Sequence, residues 1–168
     1  ALWIGTLGGG VNKFNPKTET FKRFGIKEGL TNEVLYGILE DRQGNLWMST
    51  NQGVFKLDPV TESFTQFDES DGVAGNEFNT GAFLKGRDGS LYFGGISGCI
   101  AFDPSAVKEN EFPPPVAITA FRKLNKLVDL EKPVTSLESI ELTHQDYYFS
   151  FEFAALDFSA PSKNRYAY

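Results

Sequence analysis

LWIGT at Leu2–Thr6, LWMST at Leu46–Thr50 and LYFGG at Leu91–Gly95 are three copies of one pentapeptide, and their spacing decides the fold. The leading leucines stand 44 and 45 residues apart, and the flanking features repeat in the same phase. Downstream of each copy a glycine opens a second strand that closes on Asn-Pro or Asp-Pro: GVNKFNP at Gly10–Pro16, GVFKLDP at Gly53–Pro59 and GCIAFDP at Gly98–Pro104. The first two continue through a Thr-Glu pair into TFKRF and SFTQF. Upstream lie the loops GLTNEV (Gly29–Val34) and GVAGNEF (Gly72–Phe78), each followed by a strand and a tight turn, RQGN or GRDGS.

The period is therefore four short strands in about 40 to 45 residues, which is the pattern of a β-propeller blade. For the second repeat it predicts strand a at Val34–Glu40, b at Leu46–Thr50, c at Val54–Leu57 and d at Ser63–Phe67. Gly, Asn and Asp in the Gln43-Gly44-Asn45 and Arg87-Asp88-Gly89 turns tolerate the positive φ that hairpins require. Trp3, Trp47 and Tyr92 share one position of strand b and are expected to pack between neighbouring blades, where burying one contributes about 1.5–3 kcal/mol. The first repeat starts at strand b, and the third shows a, b and c without d, as expected of a last blade completed from elsewhere.

Composition agrees with an all-β chain: aromatics make up 14%, with 16 Phe against a single Met. The 17 Gly and 8 Pro fall between apolar runs as turn residues. A net charge of −6 without a Lys/Arg cluster argues against nucleic acid as a partner. No apolar run approaches the ~18 residues of a membrane span, so the segment itself is not expected to be membrane-embedded. Cys99, the single cysteine, excludes an internal disulfide and is expected to be a small core residue.

The 44-residue period stops at Phe112-Pro113-Pro114-Pro115, a stiff extended connector. A boundary there gives a partial propeller over residues 1–112 and a second module over 113–168. In the second module, strands are expected at Val116–Leu124, Ser139–Thr143 and Tyr147–Ala154. Phe149, Phe151 and Phe153 alternate with Tyr148, Ser150 and Glu152, the period-two pattern of a strand with one buried face. With the ending Tyr166-Ala167-Tyr168, the module reads as the first part of an immunoglobulin- or fibronectin-like sandwich.

Chemistry-bearing residues are sparse. His144, the sole histidine, lies between a strand end and Gln145-Asp146 with no nucleophile or orienting partner in view, and is expected on a turn. The acidic run Asp68–Gly72 lacks the alternating oxygen ligands of a calcium loop. GTLGGG at Gly5–Gly10 has no following Lys-Ser or Lys-Thr, so it is a b-to-c turn rather than a phosphate loop. No catalytic residue, metal site or cofactor is predicted. Asn32 and Asn76 recur in the loops before strand a, and Asn51 and Gln52 lie in a b-to-c loop; in a propeller these loops share one rim of the central channel. Amides offer donors and an acceptor suited to sugar hydroxyls, while Asn equally supplies turn geometry, and both readings stand.

LWIGT, the GLTNEV loop, EDRQGNLWMST with GVFKLDP, and LYFGGISGCIAFDPS closely resemble the regulator-propeller repeats of bacterial hybrid two-component sensors. FSFEFAALDFSAPSKNRYAY resembles the start of the triple-tyrosine module that follows those propellers. The resemblance implies a fragment of a periplasmic ligand-sensing region. Its parent would be a homodimeric, membrane-anchored sensor histidine kinase that detects an oligosaccharide or other small solute and carries its enzymatic part elsewhere. A secreted propeller enzyme of the lyase kind and a protein-interaction scaffold are the alternatives.

Overall fold

The computed structural model describes residues 1–108, 114–130, 132–137, 139–157, 161 and 164. The chain divides into two compact units, Ala1–Lys108 and Glu109–Tyr168. Phe112 and Pro113 of the expected Phe112–Pro115 connector and the Tyr166-Ala167-Tyr168 ending lie outside the described residues.

The first unit is three antiparallel sheets in chain order. The first holds β1 (Leu2–Gly5), β2 (Val11–Asn15) and β3 (Thr20–Phe24). The second holds β4 (Leu35–Glu40), β5 (Leu46–Thr50), β6 (Val54–Asp58) and β7 (Ser63–Phe67), hydrogen-bonded in that order. The third holds β8 (Phe78–Lys85), β9 (Leu91–Gly95) and β10 (Gly98–Phe102). The second repeat is thus a complete four-stranded blade, with b and d as expected and a and c shifted by one residue at one end. After β10 the chain makes a short 3-10 turn at Pro104–Ala106, and no fourth strand joins the sheet among the described residues.

One glycine position registers whether the d strand is present. Gly10 and Gly53 have positive φ (68° and 91°), and a Cβ on either would overlap the carbonyl of Phe24 or Phe67 at the end of the adjacent d strand. Gly98, their equivalent, has φ 124° but open space around it.

The two junctions between sheets follow one rule. At the first, Val11, Phe24 and Leu30 meet Leu35, Leu46, Met48, Phe55 and Leu57 of the next repeat, with Trp3 and Phe64 packed alongside. At the second, the equivalent positions Val54 and Trp47 meet Phe78, Leu91 and Phe93, with Phe67, Val73, Ile100 and Phe102 alongside. The second sheet thus buries one flank against its predecessor and the other against its successor. Cys99 corrects the sequence expectation: it is exposed, not in the core. It is the counterpart of Val11 and Val54 on the flank that faces a successor, and the third sheet has none among the described residues.

The second unit holds one sheet, β12 (Lys126–Leu127), β11 (Val116–Lys123) and β13 (Phe149–Ala155), in that order. A tight turn at Leu124 and Asn125, both at positive φ, joins β11 to β12. The expected strand at Ser139–Thr143 does not form. There the Thr143 N–H and hydroxyl both donate to Asp146 Oδ2, at 2.8 and 3.0 Å, committing that backbone to a turn rather than a ladder. The expected buried face of β13 is also corrected: Phe149, Phe151 and Phe153 are 40–44% exposed. Phe121 is buried, with its ring 5.1 Å from that of Phe151 and 6.4 Å from that of Phe149. Period-two alternation built the strand, but no second sheet covers the phenyl face among the described residues.

Candidate functional site

Because strands a and b run antiparallel, the loop before a and the loop after b meet at one end of each sheet, with Leu35 opposite Thr50. Backbone bonds weld the two loops together across the repeat boundary. Gly8 and Gly10 N–H both donate to the Glu33 carbonyl, and Gly53 N–H donates to the Asn76 carbonyl at 2.8 Å. Positive-φ glycines allow this approach.

The four amide residues expected on the rim have different roles. Asn32 Oδ1 accepts from Val34 N–H at 2.8 Å, closing a local turn. Asn76 Oδ1 accepts from Glu69 N–H at 3.1 Å. The position equivalent to Asn76 is not Asn32 but Glu33, whose Oε1 accepts from Ile26 N–H, the counterpart of Glu69, at 3.3 Å. The two asparagines recur in the sequence without being structural equivalents, because Asn76 stands four residues after the loop's opening Gly72 whereas Asn32 stands three after Gly29. Asn51 and Gln52 stand apart from these turn-forming residues. Asn51 Oδ1 accepts from the Tyr36 hydroxyl of β4 at 2.8 Å. The Gln52 carbonyl accepts from Gln66 Nε2 at 2.7 Å, and Gln66 Oε1 accepts from the Thr31 hydroxyl at 3.2 Å.

The structure therefore brings Asn51 and Gln52 together with Tyr36, Thr31 and Gln66, three residues that sequence reasoning did not single out. Tyr36 belongs to a strand and Gln66 to β7, so nothing in a loop-by-loop reading marks them. Tyr36 packs its ring against the core of the second junction and turns its hydroxyl to Asn51, so this end of the sheet is a surface of hydroxyl and amide groups.

Trp47 is 1% exposed, its ring 5.4 Å from Phe67 and, across the repeat boundary, 4.9 Å from Phe102. Trp3 lies 5.6 Å from Phe24. Lys13 and Lys56, the cross-strand partners of the two tryptophans, place their ammonium groups 5.2 and 6.0 Å from the indole centroids. Tyr92 is half-buried and faces Ala101 instead.

The feature most easily missed is Asp41, a buried carboxylate at the a-to-b turn. It accepts from Trp47 Nε1 at 2.9 Å, Asn45 Nδ2 at 2.9 Å, Asn45 N–H at 2.8 Å and Gln43 N–H at 2.9 Å. Burial pushes its pKa up, but the donors from Trp47, Asn45 and Gln43 outweigh that and hold the carboxyl below its usual range. In the third repeat this position is Gly86, and Tyr92 replaces the tryptophan that needed an acceptor. Asp88 bonds Ser90 there instead.

The acidic run closes on itself: Asp68 Oδ1 accepts from Ser70 N–H and hydroxyl, and Asp71 Oδ2 from Asp68 N–H, capping one 3-10 turn. His144 is exposed on a turn. A concavity of about 450 Å³ lies between the second and third sheets, lined by Trp47, Val54, Phe67, Ile100, Phe102 and Val107 among others. Asp71 and Lys108 are its charged lining residues, and its mainly apolar walls stand where Phe64 fills the first junction, which makes it a packing gap.

Residues 29–52 match the family described as two component regulator propeller. The chain is 34% identical over 160 residues, 90% of its length, to histidine kinase P4 of Formosa agariphila. It is 33% identical, with a TM-score of 0.62 over 95% of its length, to the extracellular domain assigned to a hybrid two component system of B. thetaiotaomicron. The chain spans 12% of the first relative and 22% of the second. No helix among the described residues is long and apolar enough to cross a membrane.

Proposed function

We propose that this segment is part of the extracytoplasmic ligand-sensing region of a membrane-anchored two-component sensor histidine kinase. Its second unit would begin the triple-tyrosine sandwich that follows such propellers. The similarity to a solved extracellular domain over nearly the whole chain supports the location, and the similarity to a histidine kinase supports the parent's output. The ligand class is a carbohydrate or comparably polar small solute, bound at the rim. The observation that carries this is the Tyr36–Asn51 pair beside Gln52, Thr31 and Gln66. A phenol hydroxyl and neutral amides recognise hydroxyl groups through paired donors and acceptors. The segment acts by binding, and the dimeric parent transmits the signal.

The test is the thermal unfolding of the longer ectodomain against a panel of neutral and acidic oligosaccharides. A cognate sugar at a hundred times its Kd stabilises the folded state by about 2.7 kcal/mol. A panel that leaves the midpoint unmoved throughout removes the carbohydrate reading and favours a protein-interaction scaffold.

A further inference from the structure

We infer that the rim site extends onto the third sheet, where Asn79 and Thr80 form a second subsite, so that the ligand is an oligosaccharide rather than a monosaccharide. The inference rests on the rim reading above and adds to it the residues that sense the ligand's length. The a strands of the second and third sheets are both interrupted near the rim, by different amounts. In β4, Leu35 faces Thr50 and Gly37 faces Ser49, which leaves Tyr36 alone outside the register. In β8, Phe78 faces Gly95 and Phe83 faces Phe93, and a Cβ on Gly94 would stand 3.0 Å from that of Ala82. Asn79, Thr80 and Gly81 therefore occupy the place that Tyr36 holds in the second sheet. A bulge of this kind re-aims the side chains it carries. Gly81, at φ 75°, supplies the left-handed backbone it needs.

Contacts on either side of the bulge hold it beside the Tyr36–Asn51 pair. Before it, the Asn76 carbonyl accepts at 2.8 Å from Gly53 N–H, in the loop that carries Asn51 and Gln52. After it, the Phe83 ring lies against Gly37, so closely that a Cβ there would overlap it. Phe78, which opens the bulge, belongs to the apolar cluster on which the Tyr36 ring packs. Asn79 and Thr80 are exposed, and neither side chain has a hydrogen-bond partner among the described residues. They differ in this from Asn32 and Asn76, whose amide oxygens are committed to turns. A free amide and a free hydroxyl present donors and acceptors to sugar hydroxyls. One sugar unit at Asn51 and Gln52 then places its neighbour in the chain over Asn79 and Thr80.

Calorimetric titration of the longer ectodomain tests this, with neutral gluco-, manno-, galacto- and xylo-oligosaccharides, each series running from mono- to hexasaccharide. In the series that binds, affinity rises at least about tenfold from the monosaccharide to the chain of best length. Asn79→Ala combined with Thr80→Ala removes that rise and leaves the monosaccharide Kd unchanged, whereas Asn51→Ala weakens every length. A rise that survives in the double variant, or a monosaccharide weakened as much as its oligomers, overturns the second subsite and leaves the rim site standing. Binding that is indifferent to Asn51→Ala moves the ligand off the rim, and a panel on which nothing binds removes the rim reading itself. Either of those results removes the second subsite as well.

Discussion

The second and third repeats share a sequence period but not an environment. Among the described residues the second sheet has four strands and a neighbour on each flank, and the third has three strands and one neighbour. Asp41 with Trp47 becomes Gly86 with Tyr92, and the crowded Gly53 becomes the open Gly98. A repeat therefore specifies where strands run, while the residues that vary at fixed positions record what each copy packs against.

The largest expected difference lies at the strand-b aromatic. Trp47→Ala empties a site between two sheets and is expected to cost about 3–5 kcal/mol in denaturant unfolding. Tyr92→Ala, half-exposed, is expected to cost markedly less; equal losses would break the comparison.

Next is the glycine pair. Gly53→Ala meets both left-handed strain and the Phe67 carbonyl, so a loss of about 3 kcal/mol or more is expected. Gly98→Ala meets only the strain, about 1–2 kcal/mol.

Asp41 adds an acid-sensitive contrast. Its folded-state pKa lies below the unfolded value, so its contribution is complete above about pH 4 and is lost as pH falls through the folded-state value. Asp41→Asn should flatten the acid limb of the unfolding midpoint against pH; an unchanged limb would assign acid unfolding to other carboxylates. In the second unit Asp146, held at about 2 by Lys123 and by the Thr143 donors, loses its contribution over the window from about pH 4 down to about pH 2.

The smallest effect has the opposite sign. Ser49 is 1% exposed and its hydroxyl has no hydrogen-bond partner among the described residues, at a position that is Gly5 and Gly94 in the other repeats. Ser49→Ala should stabilise by up to about 1 kcal/mol by removing an unsatisfied buried group. A loss of that size would show that the hydroxyl has a partner in solution.

The propeller sheets were legible in the sequence because period, turn glycines and aromatic positions coincide in three copies. The environment of Cys99 was not, since its position is apolar in every repeat and only the presence of a neighbouring sheet decides burial. The same holds for Phe149, Phe151 and Phe153, whose alternation encodes a strand and an apolar face but not its cover. The failed strand at Ser139–Thr143 turned on one carboxylate, Asp146, capturing the Thr143 donors three residues away. Of the rim, the loop amides Asn51 and Gln52 were readable, but Tyr36, Thr31 and Gln66 come from other elements and converge only in the fold.

The most direct test of the sensing reading is calorimetric titration of the best-stabilising oligosaccharide into the longer ectodomain and into its Asn51→Ala variant, which leaves the buried packing untouched. The rim site predicts at least about a tenfold rise in Kd, the equivalent of ~1.4 kcal/mol from lost hydrogen bonds, beside a loss of about 0.5–1.5 kcal/mol in the unliganded protein from the Tyr36 hydroxyl's missing acceptor. An unchanged Kd in a normally folded variant would contradict it and move the ligand away from this rim.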